Sequence, residues 1–443
     1  MTSLKRTFGR AAMASAIAGA IFAAAPAHAV TEIQWWHSMG GTLGEWVNDL
    51  AADFNKQQSA YKVTAVYKGS YDVSMTAGIA AFRAGNAPDI LQVFEVGTAT
   101  MMASKGAIVP VAEVMKKAGV TFDPKAYVDA VAGYYTAPSG AMLSFPFNSS
   151  TPVFYYNKDA FKAAGLDPAS PPKTWPEAVL AAAKLKASGH ECPMTSSWMG
   201  WTQFENFSAW HNIEFATKGN GMSGLDARLK INDPLFVRHI TNLANMSKQG
   251  LFVYKGRGNK ADATFVSGEC AMTTASSGLR GNVSKNAKFD YGISTLLFYP
   301  DVPGAPQNSV IGGASLWVMA GKSPDHYKAV AEFFKYLSQP EVAAASHKRT
   351  GYLPITKAAF ALTDKSGFYK ENPGADVSVT QMIRKVTDKS RGIRLGNFVQ
   401  IRTIVDEEVE NILGGKVGVK EGLGTAVKRG NELLERFEKA NKG

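Results

Sequence analysis

The chain has 443 residues, of which 45% are hydrophobic and 19% are charged, and its formal net charge is +11 at pH 7. One hydrophobic core rarely covers a chain of this length, so we expect two lobes of roughly 200 residues each. The basic residues are spread along the chain and form no cationic stripe, which argues against nucleic-acid binding.

The N-terminus has the pattern of a secretory signal peptide. An apolar run over residues 11–25 follows three basic residues, Lys5, Arg6 and Arg10, and the tripeptide Ala27-His28-Ala29 has the small-x-small form of a cleavage site. We therefore expect a signal peptide over residues 1–29, cleaved near Ala29, and export to the periplasm. No later apolar run reaches the roughly 20 residues that a membrane-spanning helix needs.

Strands alternate with helices in the segment that follows this leader. Residues 32–36 predict a strand, and residues 63–67 and 90–94 predict two more. Between the first two strands, apolar residues at helical spacing predict an amphipathic helix with one buried face, made of Leu43, Trp46, Val47, Leu50, Ala51 and Phe54. A second helix is expected over residues 73–83. This βαβ order predicts α/β lobes.

Residues 146–161 are the most informative stretch of the chain. The polar residues Asn148, Ser149, Ser150 and Thr151 predict a turn suited to a hinge, followed by an apolar aromatic strand that leads into a helix. Such a turn supplies hydroxyl, amide and backbone N–H groups that hold a polar ligand without any catalytic group. The stretch therefore indicates a ligand cleft.

Helix signals return further along the chain. Thr174 and Glu177 have the spacing of a capping box, which predicts a helix from this point to about Ser188. A long amphipathic helix is expected near the end, between Leu423 and Phe437, and should pack on a lobe.

Four residues of the central region allow two readings each. Trp198 and Trp201 stand at i and i+3, which fits a buried core stripe, although their polar neighbours also fit a pair that stacks on a ligand. Cys192 and Cys270 lie in a chain that is expected to be exported, where a disulfide is chemically allowed. Whether they pair stays open at this point.

The sequence contains no recognisable catalytic motif. The histidines lack the spacing of HExxH, and neither a P-loop nor a Gly-x-Ser-x-Gly elbow is present. We therefore expect a protein that is not an enzyme and that uses no cofactor and no metal.

Ordered motifs along essentially the whole mature chain resemble one family. The stretch at 146–161 is joined by residues 36–39, 67–71, 91–97, 205–210, 270–278, 311–318, 350–357 and 394–397. Together they resemble the periplasmic sn-glycerol-3-phosphate-binding component of an ABC importer, within the extracellular solute-binding proteins that include the maltose-binding type. The resemblance implies an α/β, two-lobed periplasmic binding protein fold with a ligand cleft between the lobes and short hinge crossings.

The resemblance also implies a set of ligand-binding residues, carried over motif by motif. They are Tyr71, Glu95, Ser150, Trp198, Trp201, Ser276, Gly313, Tyr352 and Arg402. A carboxylate can accept hydrogen bonds from glycerol hydroxyls, and an arginine, hydroxyls and a glycine N–H can donate to a buried phosphate. The two tryptophans would pack on the glycerol.

Several of these residues have a simpler alternative role. Glu95 could pair with a surface lysine, the two tyrosines could be packing residues, and Gly313 could be a hinge glycine. Arg394, at the end of a basic segment over residues 384–394, is the alternative phosphate partner to Arg402. That segment itself is either a solvated loop or an electrostatic guide for a small anion.

The expected mechanism is closure of the two lobes around the ligand. Hinge crossings are predicted near residues 147–151, 308–313 and 345–350. The N-terminal lobe would then comprise residues 30–149 and 312–347, and the C-terminal lobe residues 150–311 and 348–443. We expect a monomer whose partners are the small-molecule ligand and the membrane permease of an ABC importer, without nucleic acid.

The ligand itself stays open within this class. The family has an acidic residue beside its first strand where this chain has Gly40 and Gly41, so larger glycerophosphodiesters such as glycerophosphocholine are possible ligands beside sn-glycerol-3-phosphate. An oligosaccharide-binding protein of the same fold is the first alternative, because stacked tryptophans and carboxylates also suit sugars. A secreted glycerophosphodiester hydrolase is the second, although its metal ligands are missing.

Overall fold

The computed structural model describes residues 1–2, 29–137 and 139–442. The predicted signal peptide lies almost wholly outside the described residues. None of the helices in the described part of the chain is both long and apolar enough to span a membrane.

Ten strands are present within the described residues. They are β1 (Thr31–His37), β2 (Tyr61–Tyr67), β3 (Ile90–Phe94), β4 (Ile108–Val109), β5 (Phe145–Ser150), β6 (Pro152–Asn157), β7 (Cys192–Ser196), β8 (Cys270–Ser276), β9 (Tyr291–Ser294) and β10 (Gly312–Met319).

Helices fill most of the chain between the strands. Those of the described residues are α1 (Gly41–Gln57), α2 (Tyr71–Arg83), α3 (Thr98–Ala103), α4 (Val111–Lys117), α5 (Asp129–Tyr134), α6 (Lys158–Ala163), α7 (Trp175–Ala187), α8 (Asn206–Trp210), α9 (Thr217–Asn220), α10 (Pro234–Lys248), α11 (Asp262–Val266), α12 (Arg280–Asn286), α13 (Pro324–Leu337), α14 (Pro340–Thr350), α15 (Lys357–Lys365), α16 (Phe368–Glu371), α17 (Val377–Thr380), α18 (Phe398–Leu413) and α19 (Val419–Asn441).

The strands form two separate sheets. The first has the order β2-β1-β3-β10, and β4 and β5 both pair with β10. Its strands β1, β2 and β3 are parallel, whereas β10 runs antiparallel to its neighbours. The second sheet has the order β7-β8-β6-β9, with β7 and β8 parallel and β6 antiparallel to both of its neighbours. The α/β fold class expected from the βαβ order is thus confirmed.

Local predictions hold well where the apolar period is strong. Helix α1 buries Trp46, Val47, Leu50, Ala51 and Phe54 and leaves its polar residues outside, as its spacing predicts. Its buried face packs against β1 and α13 in the hydrophobic core of the first sheet.

The capping box at the start of α7 is present. The backbone N–H of Glu177 donates to the Thr174 hydroxyl at 3.3 Å, and the Glu177 carboxylate accepts from the backbone N–H of Thr174 at 3.0 Å. Near the C-terminus, the predicted amphipathic helix is α19, which packs against α18. The start of α7 and the presence of α19 therefore follow from local sequence signals.

The predicted turn at residues 148–151 is wrong in one respect. Asn148, Ser149 and Ser150 belong to the buried strand β5, and only Thr151 separates it from β6. Turn propensity is overridden here because β5 pairs with β10 and the Asn148 amide finds buried partners within hydrogen-bonding distance. The chain still passes from the first sheet to the second at this point, and it returns at Gly312.

Cys192 and Cys270 are joined by a disulfide bond. They begin the neighbouring parallel strands β7 and β8 and stand opposite each other in the register. The bond therefore ties together two strands of the second sheet at the ends where they start.

The predicted lobe boundaries stay a prediction. The strands of the first sheet fall within residues 30–150 and 312–319, and those of the second within 152–294. Tyr352, Ile355 and Ala359 pack in the core of the first sheet. This packing favours a third crossing later in the chain than residue 347.

Candidate functional site

A cavity of about 680 Å³ is walled by residues from both sheets. It lies at the ends of β3, β5 and β8 and at the start of β10, where backbone turns and helix starts present polar groups. All nine residues predicted to bind ligand line it: Tyr71, Glu95, Ser150, Trp198, Trp201, Ser276, Gly313, Tyr352 and Arg402. The structure thus brings together positions more than 300 residues apart in the chain; that each touches a ligand stays a prediction.

A chain of buried amides holds the Tyr71 hydroxyl in place. The Gln92 side chain donates to the Asn148 side-chain oxygen at 2.8 Å, and the Asn148 nitrogen donates to the Tyr71 hydroxyl at 2.8 Å. Gln92 in turn accepts from the backbone N–H of Ser38 at 2.7 Å. Because the Tyr71 oxygen accepts from Asn148, its own O–H proton is free to donate into the cavity.

Tyr71 and Tyr352, the two buried tyrosines of the cavity lining, keep their protons at neutral pH. Burial raises the pKa of Tyr71 well above its usual value and that of Tyr352 to about 12. Gly278 leaves the room that the Tyr352 ring occupies, since a Cβ at this glycine would lie 2.7 Å from the ring. Two neutral hydroxyls therefore stand on the cavity wall, and that of Tyr352 donates a weak hydrogen bond to Met39 Sδ at 3.6 Å.

Aromatic rings form one side of the cavity. The Tyr71 ring stacks on Phe94 with 5.1 Å between centroids, and the Trp198 ring lies 6.3 Å from Tyr71. Trp198 has a φ of +54°, a left-handed conformation that is strained for a bulky side chain, and its backbone N–H donates to Gly258 at 2.7 Å. Strain of this kind is typical of binding sites, where the surrounding contacts hold it.

The two tryptophans differ in their burial. Trp201 is 3% exposed and begins a π-helical turn over Trp201–Glu205, a feature that is frequent at functional sites. Its ring packs so close to Gly312 that a Cβ there would lie 2.3 Å away. Trp198 is partly exposed and faces Tyr71 across the cavity. Trp201 thus belongs to the buried wall, whereas Trp198 presents its ring to the space inside.

Arg402 connects the two sides of the cavity through a buried ion network. Its Nε and Nη2 atoms donate to both oxygens of Glu205 at 2.9 and 2.8 Å, and Nη2 also donates to Glu95 at 2.6 Å. Glu95 follows β3 of the first sheet, whereas Glu205 and Arg402 belong to segments around the second. The partner of Glu95 is therefore this buried arginine, and the alternative of a surface lysine is wrong.

The network leaves one part of the guanidinium unused. Among the described residues, no side chain or carbonyl accepts from Arg402 Nη1, while Nε and Nη2 are fully engaged. Gly200 makes room for this side chain, because a Cβ there would lie 3.0 Å from Arg402 Cγ. The free N–H groups of Nη1 are suited to an anionic ligand atom.

Burial shifts the acid–base properties of this network. It raises the pKa of Glu205 to about 7, although the positive charge of Arg402 acts in the opposite direction. Burial also raises the pKa of Asp406, to about 6. For Arg402, burial would lower the pKa, but Glu205 and Glu95 outweigh it and hold the pKa above its usual value. Arg402 is therefore a permanent cation, whereas Glu205 can gain a proton near neutral pH.

Arg394, the alternative phosphate partner, does not line the cavity. Its guanidinium donates to the carbonyl oxygens of Tyr134 and Gly133 and lies over the Tyr134 ring. Gly313 does line it, with a φ of +85° that favours glycine, and a Cβ there would lie 1.9 Å from the Asn148 carbonyl oxygen. The close approach of β10 to β5 therefore requires glycine at this position.

Three residues of the site were not assigned by sequence reasoning. Gln92 anchors the amide chain, Glu205 shares Arg402, and Asp262 lines the cavity at the start of α11. Gln92 stands in an apolar strand, where a buried polar side chain is a signal worth following. Asp262 has no comparable signal, since its neighbours in the chain are two alanines. In the described residues, no cluster of side chains is arranged to hold a metal ion.

Comparisons with known proteins identify the family to which the chain is similar. Residues 49–376 match the family model described as bacterial extracellular solute-binding protein. The sn-glycerol-3-phosphate-binding periplasmic protein UgpB of Pectobacterium atrosepticum is 54% identical over 442 residues, 99% of both chains. The protein of the same name from Salmonella typhimurium is 55% identical over 444 residues and the whole of both chains.

Solved structures support the fold. The chain is similar to UgpB from Mycobacterium tuberculosis in complex with glycerophosphocholine, with 22% identity, a TM-score of 0.77 and coverage of 92% of this chain and 100% of that one. Maltose-bound MalE3 of T. maritima gives 16% identity and a TM-score of 0.75 over the same shares. The two-lobed architecture expected from the motifs is thereby confirmed.

Proposed function

The chain belongs to the bacterial extracellular solute-binding proteins, and we propose that it is the periplasmic component of an ABC importer that captures sn-glycerol-3-phosphate and delivers it to the membrane permease. The observation that carries this proposal is the convergence of nine predicted ligand residues on one cavity. Relatives that are 54% and 55% identical over their full lengths carry the corresponding name.

The cavity offers what a phosphate monoester requires. Its donors are the hydroxyls of Tyr71 and Tyr352, the hydroxyls of the two serines Ser150 and Ser276, and the free Nη1 of Arg402. The Tyr71 hydroxyl and the Arg402 guanidinium are held by buried partners before the ligand arrives, which lowers the entropy cost of ordering these two side chains. Glu95 has oxygen atoms that can accept from the glycerol hydroxyls, and Trp201, which lines the same cavity, supplies aromatic surface for the carbon skeleton.

Capture would proceed by closure of the two lobes. Donors and acceptors for the ligand come from both sheets, so all of them can reach it only when the cleft is shut. This gives the ligand a higher affinity for the closed state, which is the condition for a ligand-driven change. The permease would then recognise the closed form. We infer that the protein acts in the periplasm, after removal of residues 1–29.

Larger glycerophosphodiesters are the second ligand class. Water occupies about 30 Å³ per molecule in the liquid, so the non-hydrogen atoms of sn-glycerol-3-phosphate fill at most roughly 300 Å³. The cavity of about 680 Å³ leaves room for a head group beyond the phosphate. Gly40 and Gly41 also line the cavity, and a larger side chain at either position would take up part of this space.

Isothermal titration calorimetry of the protein without its leader tests this function. We expect binding of sn-glycerol-3-phosphate and of glycerophosphocholine, and no binding of maltose. Maltose binding with no phosphate-ester binding would favour the oligosaccharide-binding alternative. Release of choline or glycerol during prolonged incubation would instead indicate a hydrolase.

Two variants test the assignment of the site. Replacing Trp198 and Trp201 together by alanine, or Arg402→Ala, should abolish the change in tryptophan fluorescence that ligand causes. Arg394→Ala is the matched control, because its side chain lies outside the cavity lining, and it should titrate like the unchanged protein. Unchanged titrations in both site variants would remove these residues from the site.

A further inference from the structure

Three carboxylates reach the cavity lining, and one of them has no cation. Glu45 pairs with Lys285 at 2.8 Å, and Glu95 pairs with Arg402 at 2.6 Å. Asp262 accepts a hydrogen bond from the Ser197 hydroxyl and forms no ion pair with any described lysine, arginine or histidine. Lys285 and Arg402 are also the only cations among the described lining residues. The cavity therefore holds one carboxylate whose counter-charge is missing.

The surroundings of Asp262 make the missing counter-charge energetically important. It stands at the start of α11, and its backbone N–H donates to the Asn259 carbonyl at 3.0 Å. Burial raises the pKa of its carboxyl to about 7, and only the bond from Ser197 acts against this. An uncompensated buried carboxylate is costly, so a cation brought by a ligand would be strongly favoured here.

The neighbouring wall suits a small cation as well. Trp198 follows Ser197 in the chain, and its partly exposed ring lines the same cavity as Asp262. The face of an indole ring attracts an ammonium group through its quadrupole, and a desolvated pair of this kind is stronger than an exposed one. An aromatic face beside a carboxylate that has no cationic partner is an arrangement that recognises an amine.

We propose that Asp262 and Trp198 form a subsite for the primary ammonium group of a glycerophosphodiester head group, as in glycerophosphoethanolamine. The inference rests on the proposed function, because the phosphate must be held by Tyr71, Tyr352 and Arg402 for the head group to reach this wall. The volume left beyond sn-glycerol-3-phosphate gives the head group its space. The ammonium N–H groups donate to the Asp262 carboxylate in charge-assisted hydrogen bonds.

The test compares two diesters whose head groups differ in charge. Glycerophosphoethanolamine carries an ammonium, whereas glycerophosphoglycerol carries neutral hydroxyls, and both share the phosphodiester. Calorimetric titration of the unchanged protein at pH 8 should give a Kd about tenfold lower for the ethanolamine ester, since a hydrogen bond to a charged group is worth roughly that ratio. This comparison needs no variant. Equal affinities would overturn the proposal.

Asp262→Asn then assigns the preference to one side chain. The amide keeps the shape of the carboxylate and an oxygen that can accept from Ser197, and circular dichroism checks that the variant is folded. The ratio of the two Kd values should fall to about one, because the amide carries no charge with which the ammonium group could pair. A tenfold ratio that survives in Asp262→Asn would refute the subsite. If the unchanged protein binds neither diester nor sn-glycerol-3-phosphate, both this proposal and the proposed function fail.

Discussion

The carboxyl of Glu205 should make the affinity for phosphate ligands depend on pH. Burial raises its pKa to about 7, and its oxygens take two of the N–H groups of Arg402. When Glu95 and Glu205 are both ionised, two negative charges face one positive charge, so the network carries a net charge of −1. An anionic ligand is repelled by that charge, and a proton on Glu205 removes it. Binding should therefore be coupled to proton uptake at Glu205.

The size of the effect follows from the protonated fraction. If the anion binds the form with Glu205 protonated, the apparent Kd equals the intrinsic Kd divided by that fraction. With a pKa of about 7, the fraction is about 0.9 at pH 6 and about 0.1 at pH 8. We therefore expect the Kd to rise about tenfold as pH increases from 6 to 8.

Calorimetry with glycerophosphoglycerol is the suitable assay. A phosphodiester does not titrate in this range, whereas the second ionisation of a monoester lies near pH 6. The Asp262→Asn background removes a carboxyl of the cavity lining whose pKa also lies near 7. Titrations at pH 7 in two buffers of different ionisation enthalpy should show uptake of about half a proton per ligand bound.

Glu205→Gln is the decisive variant in that background. Glutamine keeps an oxygen for Arg402 Nε but cannot ionise. Asp406, with a pKa of about 6, is already ionised above pH 7, so between pH 7 and pH 8 the Kd should become nearly independent of pH and the proton uptake should fall close to zero. A pH slope that persists in Glu205→Gln would refute the reasoning, as would a flat profile before the substitution. Thermal unfolding of both proteins serves as the control for folding.

Three further predictions concern stability, and urea unfolding measures each. Arg402→Ala should lower the free energy of unfolding by about 3–5 kcal/mol, because it leaves two buried carboxylates without a partner; a loss below about 1 kcal/mol would contradict this. Gly313→Ala should cost at least about 2 kcal/mol more than Gly85→Ala, since both have positive φ but only Gly313 is crowded by backbone, and equal losses would contradict the crowding argument. Replacing Cys192 and Cys270 by serine should cost about 4 kcal/mol, because the bond closes a loop with a sequence separation of 78, and an unchanged midpoint would count against it.

Local patterns predicted the elements whose signals lie within a few residues. The buried face of α1 and the capping box of α7 depend on contacts between near neighbours in the chain, and both are present as expected. The stretch around Asn148 failed because its pairing with β10 joins segments more than 160 residues apart. Local secondary-structure propensity cannot predict a contact between segments so far apart in the chain.

In the candidate site, too, the residues marked by local motifs were predicted and the contacts between distant segments were not. Motif resemblance placed Tyr71, Tyr352 and Arg402 correctly on one cavity, because each motif marks its own residue. It gave no information on Glu205 as a partner of Arg402, since an ion pair between segments almost 200 residues apart depends on the packing of whole helices. Asp262 was not predicted for a related reason. Its proposed role depends on the absence of a cationic partner among the described residues, which the sequence alone does not reveal.

The bond between Arg402 and Glu95 has a consequence for the transport cycle. Because it joins the two halves of the molecule across the cleft, part of the energy that shuts the receptor is supplied by the protein itself. On the proposed function, an empty protein would then share the closed form of a loaded one and would compete with it for the permease.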